Sequence, residues 1–147
     1  MIMGGVGGIC GIARFVIIAG IASQYAAGVS QSVIDVRQRG RTAYDLPQNL
    51  PGVTGFVAVP LCADIGTIIY LRPVGTLRWE SFLVIDCASK SGGSPIDGQS
   101  SYDWMKLNNI LVEVDHETAV RWNTVGRAID IEVLTIKEGF GFESIIF

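Results

Sequence analysis

Ser81-Phe82-Leu83-Val84-Ile85-Asp86-Cys87-Ala88 is an apolar run that stops on an acid, and its reading decides the rest of the chain. Aromatic and β-branched residues at this density favour a strand. An acid that directly follows such a run stands at the rim of a sheet, where binding or chemistry can take place. The pattern recurs downstream in Asn109-Ile110-Leu111-Val112-Glu113-Val114-Asp115, followed by His116-Glu117-Thr118-Ala119-Val120-Arg121-Trp122. There a strand over residues 110–114 runs into a short helix over 116–122, with Ala119 and Trp122 on one side. Upstream, Gly66-Thr67-Ile68-Ile69-Tyr70-Leu71 reads as a β-branched strand ended by Pro73. Downstream, Gly126-Arg127 opens a last strand over 129–136, with Ile129, Ile131 and Val133 inward and Asp130, Glu132 and Leu134 outward.

Farther out the signals weaken. Residues 55–59 read as a strand stopped by Pro60, and residues 42–45 as a short strand-like piece. Pro47, Pro51 and Gly52 mark residues 46–52 as loop, and the polar residues 30–41 read as a linker. The glycine- and serine-rich stretch 89–103, with Gly92 and Gly93, reads as a long loop, a kind that is usually functional or mobile. Many short strands with irregular connections predict a mainly β fold, a small closed barrel of six strands with one or two short helices.

The chain has 147 residues, enough for one domain with a short appendage, and a formal net charge of −3. There is no basic footprint for nucleic acid. The lone histidine, His116, excludes a multi-histidine metal site, and no cofactor motif stands out. Of the three cysteines, Cys10 lies in the apolar N-terminal stretch. Cys62 and Cys87 read as one disulfide in an exported domain, or as two buried thiols in a reducing compartment.

Residues 1–29 are almost wholly apolar, with Arg14 the one charge. The stretch predicts a helical segment: a signal peptide with a cleavage site near Ala22 or Ala27, a membrane anchor, or a helix packed in an assembly. Residues 137–147 form an apolar tail.

In order and spacing these segments resemble the double-psi β-barrel domains of the rare lipoprotein A, expansin, barwin and MltA/3D group. Gly66-Thr67, Val84-Ile85-Asp86 with Gly92-Gly93, Val114-Asp115 with Ala119, and Gly126-Arg127 carry the likeness, over roughly residues 42–136. It departs where rare lipoprotein A has Asp-Arg-Gly-Pro and this chain has Asp86-Cys87-Ala88-Ser89, and where expansins have His-Phe-Asp against Glu113-Val114-Asp115. The resemblance implies an exported protein of the cell envelope that acts on, or binds, a polysaccharide such as peptidoglycan. It casts Asp115 as general acid/base of a lytic transglycosylase or glycosidase, with Asp86 as its neighbour across a groove. Tyr44 and Asp45 fall where the family has a groove-lining aromatic and acid. Trp79, Tyr102 and Trp104 offer faces on which a sugar can stack, and His116 adjoins the acid. Asp115 equally suits a helix N-cap and Asp86 a turn. The other reading is a structural or assembly protein of a surface layer, filament or virion, packing through residues 1–29.

Overall fold

The computed structural model describes residues 15–88 and 99–136, with backbone alone for 135 and 136. Along it run β1 (Phe15–Gln24), α1 (Val29–Arg37), β2 (Gly55–Val59), a 3-10 turn at Cys62–Asp64, β3 (Ile68–Pro73) and β4 (Glu80–Cys87). Then come α2 (Ser101–Leu107), β5 (Ile110–Val114), α3 (His116–Trp122) and β6 (Ile129–Ile136). The six strands hydrogen-bond into a closed ring in the order β1-β5-β2-β4-β3-β6, with β6 returning to β1. Two neighbouring pairs are parallel, β1 with β5 and β2 with β4, and the other four are antiparallel.

Alternation along the strands fills the inside of the ring. Val57, Val59, Ile69, Leu71, Phe82, Val84, Val112, Ile131 and Val133 point inward and are fully buried. Each such side chain contributes about 1.5–3 kcal/mol relative to an exposed one. Close approach sets two glycines. A methyl group at Gly20 of β1 would stand 2.5 Å from Leu111 Cγ, and one at Gly55 would stand 2.7 Å from Phe82 Cε2. Two smaller clusters lie elsewhere: Leu83 and Ile85 of β4 pack with Ile34 of α1 and Leu46, and Met105 of α2 packs on Ile110 and Ala88.

The expected mainly β chain of six strands is present, and the strands over 55–59, 110–114 and 129–136 and the helix 116–122 fall where the patterns put them. Several expectations are corrected. Residues 15–24 are not part of an N-terminal helix; they form β1, the sixth strand of the ring, paired on both edges. Cleavage near Ala22 or Ala27 would remove that strand. Residues 42–44 form bends and no strand covers 42–45, and the linker 30–41 holds most of α1. Of the expected long loop 89–103, residues 89–98 lie outside the described residues, and 101–103 open α2, whose N-cap Ser100 accepts a hydrogen bond from the Asp103 N–H. Among the described residues the helices thus number three, with a 3-10 turn, instead of one or two. Cys10, Gly92, Gly93, the tail 137–147 and the first fourteen residues lie outside the described residues.

Cys62 and Cys87 are joined by a disulfide, with 4.8 Å between their α-carbons. It ties the 3-10 turn to the end of β4. Among the described residues no helix is long and apolar enough to cross a membrane.

Candidate functional site

β4 does not alternate regularly at its end. Val57 of β2 pairs with Val84, and the next residue, Ala58, pairs with Asp86, so Ile85 is an extra residue in β4. A bulge of this kind re-aims the side chains that follow it. Ile85 already packs on the outer side beneath α1, and Asp86 emerges on that same side instead of turning into the core.

Asp86 there takes two hydrogen bonds. Its Oδ1 accepts from Arg37 Nη2 of α1 at 2.6 Å and its Oδ2 from the Tyr25 hydroxyl at 2.9 Å. Arg37 also donates from Nη1 to the Tyr44 carbonyl at 3.0 Å, while its buried Nε finds no acceptor among the described residues. Beside this pair runs an open groove of about 780 Å³ lined by Asp86, Arg37, Val29, Ser32, Val36 and Thr42 among others.

Glu113 of β5 stands near. Its Oε2 accepts a 3.3 Å hydrogen bond from the Ser23 hydroxyl. Burial holds its carboxyl above the usual carboxylate range, the Ser23 bond opposes that rise, and the negative charge of Asp86 adds to it. Burial, followed by the charge and hydrogen bonding of Asp86, likewise pushes the Tyr25 hydroxyl well above the ordinary phenol range, so it stays protonated and donates.

Asp115 has a different setting. It is 4% exposed and starts α3. Its Oδ1 accepts from the Thr118 hydroxyl at 2.5 Å and from the Phe56 N–H at 3.2 Å, and its own N–H donates to the Phe56 carbonyl at 3.0 Å. These bonds clamp the start of α3 to β2. Asp115 is not among the residues that line the groove.

The remaining candidates are dispersed. Tyr44 is exposed and reaches the site through its backbone carbonyl alone. Asp45 directly follows the neighbouring bend, where the Thr42 hydroxyl and N–H hold its carboxyl below the usual range. The Trp79 ring stacks beneath the Arg72 guanidinium at 4.0 Å, and Arg72 pairs with Glu132, on the β3–β6 side of the ring. Tyr102 and Trp104 of α2 pack against Met105 and Ile110. His116 is half-buried at the first position of α3.

Three residues of the cluster were not site candidates in the sequence reading: Tyr25, Arg37 and Glu113. Tyr25 directly follows β1, and Glu113 is the one acid in an otherwise apolar strand. Among the described residues no three His, Cys, Asp or Glu side chains gather as a metal site. No protein-family model matches the chain, and no curated protein matches it.

Proposed function

We propose that the chain is an exported double-psi β-barrel protein that holds a cell-wall glycan strand, peptidoglycan first, in the groove beside α1 and cuts it in the manner of a lytic transglycosylase. The observation that carries this reading is Asp86, a carboxylate fixed by Arg37 and Tyr25 in the lining of an open groove. A sugar offers hydroxyls to such a carboxylate and guanidinium, and an apolar ring face to walls such as Val29 and Val36. The parallel pairs β1/β5 and β2/β4 inside a closed six-strand ring support the barrel type. The Cys62–Cys87 disulfide fits an oxidising compartment outside the cytosol.

Co-sedimentation with insoluble peptidoglycan tests the reading. The wild type is expected in the pellet, and the groove-filling Ser32→Trp and the charge-removing Asp86→Asn each weaken binding by about tenfold, the cost of one or two charge-assisted hydrogen bonds. A wild type that stays in the supernatant sinks the proposal.

One observation favours assembly as a second reading. Phe15 and Ile17 of β1 are 58% and 55% exposed, and Ile17 lies in a cross-strand row with Leu134 and Tyr70 on the outside of the ring.

A further inference from the structure

Leu77 is 91% exposed in the turn that joins β3 to β4, Val74-Gly75-Thr76-Leu77-Arg78-Trp79. Turns are ordinarily built from glycine and short polar residues, so a leucine thrust into solvent there is out of place. The turn is nonetheless well framed. The Pro73 carbonyl accepts from the Thr76 N–H at 3.1 Å and from the Thr76 hydroxyl at 2.8 Å. Arg72 Nη1 donates to the Leu77 carbonyl at 3.4 Å, and the Val74 N–H donates to the Asp130 carbonyl at 3.0 Å. The Trp79 ring lies against the Arg72 guanidinium. A framed turn loses little conformational freedom when its leucine is buried against a partner.

A second loop, residues 123–128, meets this one. Val74 and Arg127 line the same open hollow, together with Ala128 and Asp130. Val74 and Val125 are exposed as well. The charges here are uneven. Arg72 pairs with Glu132, and Arg121 with Glu80. Among the described residues Arg78 and Arg127 have no ion pair, and the two loops with their strand ends set one unpaired acid, Asp130, against them. This end of the ring is locally positive in a chain whose formal net charge is −3.

A projecting apolar side chain with cations close behind it suits a bilayer. A protein partner calls for roughly 800 Å² of complementary surface on each side, far more than one or two projecting side chains supply. Lipid closes around a wedge of any shape. Apolar groups of a peripheral protein enter about 5–10 Å into the headgroup and acyl boundary, while arginine and tryptophan suit the headgroup level. Arg78 and Trp79 directly follow Leu77, so they fall at that level once the leucine is immersed.

We propose that the 74–79 turn docks the protein peripherally on an anionic lipid surface, with Leu77 and Val74 entering the boundary and Arg78 and Arg127 meeting lipid phosphates. The contact goes beyond the glycan reading and does not depend on it. None of the residues that line the groove beside α1 belongs to either loop.

The test uses the full chain. It is sedimented with vesicles of phosphatidylcholine and phosphatidylglycerol in equal parts, and with vesicles of phosphatidylcholine alone. Wild type is expected to pellet with the anionic vesicles, and to bind the neutral ones at least about fivefold more weakly, the worth of one arginine near a charged surface. Leu77→Ser is expected to weaken binding to anionic vesicles by about tenfold, the lower end of what burying a leucine contributes. Arg78→Ala is expected to weaken it by about fivefold. Ile17→Ser, on the apolar exterior of β1, is expected to pellet as wild type does. Leu77 and Arg78 are exposed, so both variants are expected to melt as wild type does and to match it in pelleting with peptidoglycan. Val74→Ser repeats the apolar arm if Leu77→Ser melts early. The proposal is overturned if wild type stays in the supernatant with both vesicles, if it binds both equally, or if the folded serine variant pellets as well as wild type.

Discussion

Gly55 has no room for a side chain because Asp115 Oδ1, Thr118 Oγ1 and Phe82 Cε2 all lie within 2.8 Å of where its β-carbon would stand. At that crowded point a buried carboxylate serves the fold. Asp115→Ala leaves the Phe56 N–H and the buried Thr118 hydroxyl without their acceptor, so it is expected to cost about 2–4 kcal/mol, read as a lowered urea midpoint with an unchanged slope. Glu113 has the opposite relation to stability. Its folded carboxyl binds a proton more tightly than the unfolded one, so its favourable contribution is complete below the unfolded value and is lost as pH rises through the folded value. Glu113→Gln removes that loss. Its melting temperature is expected to fall less than that of wild type between pH 4 and neutrality, which parallel thermal melts will check. Val84-Ile85-Asp86 and Val114-Asp115 look alike as text, and both were legible as acids after apolar runs. Their divergent fates were not. One extra residue in β4 turns Asp86 outward, and a bulge depends on the partner strand, which local periodicity does not contain.

Elements with one face clearly apolar were the legible ones. β6 alternates, and α3 follows directly on Asp115, so both could be placed from local pattern. β1 could not. Its sequence, FVIIAGIASQ, is apolar on the core side at Ile18 and Ala22 and also on the outer side at Phe15 and Ile17. Such a run lacks the alternation that marks a half-buried strand and resembles the apolar centre of a signal segment. α1 was hidden for the converse reason, since it buries little beyond Ser30 and Ile34 and reads as polar linker. The disulfide, by contrast, was anticipated from two isolated cysteines, and it joins the 3-10 turn to the end of β4. Closing a loop over a separation of 25 residues stabilises by about 3 kcal/mol in the chain-entropy account. The double variant Cys62→Ser/Cys87→Ser is expected to lose stability on that scale in urea titrations, and wild type treated with reductant to match it.

At the scale of the whole molecule, the ring has two unlike exteriors. One is covered by α1 and carries the acid cluster; the other, across β1, β6 and β3, leaves Phe15, Ile17 and Tyr70 exposed. A contiguous apolar face of this kind marks a contact surface. On the assembly reading, sedimentation velocity at rising concentration is expected to show self-association that Ile17→Lys abolishes; a wild type that stays monomeric throughout counts against it. The closed mainly β architecture could be foreseen from strand count, but its closure through residues 15–24 could not, because it depends on a pairing between the two ends of the described fold.

That pairing bears on how the molecule is made. Phe15 meets Ile136 about 120 residues farther along the chain. At translation speeds of roughly 5–20 residues per second, β1 leaves the ribosome on the order of ten seconds before its last partner exists. Throughout that interval an apolar strand has two unsatisfied edges, and contacts between such distant segments form slowly even once the chain is whole. The newborn polypeptide therefore spends its most aggregation-prone moments before the ring can close. Conditions that slow aggregation of the unfinished chain, such as low temperature, are therefore expected to raise the soluble yield.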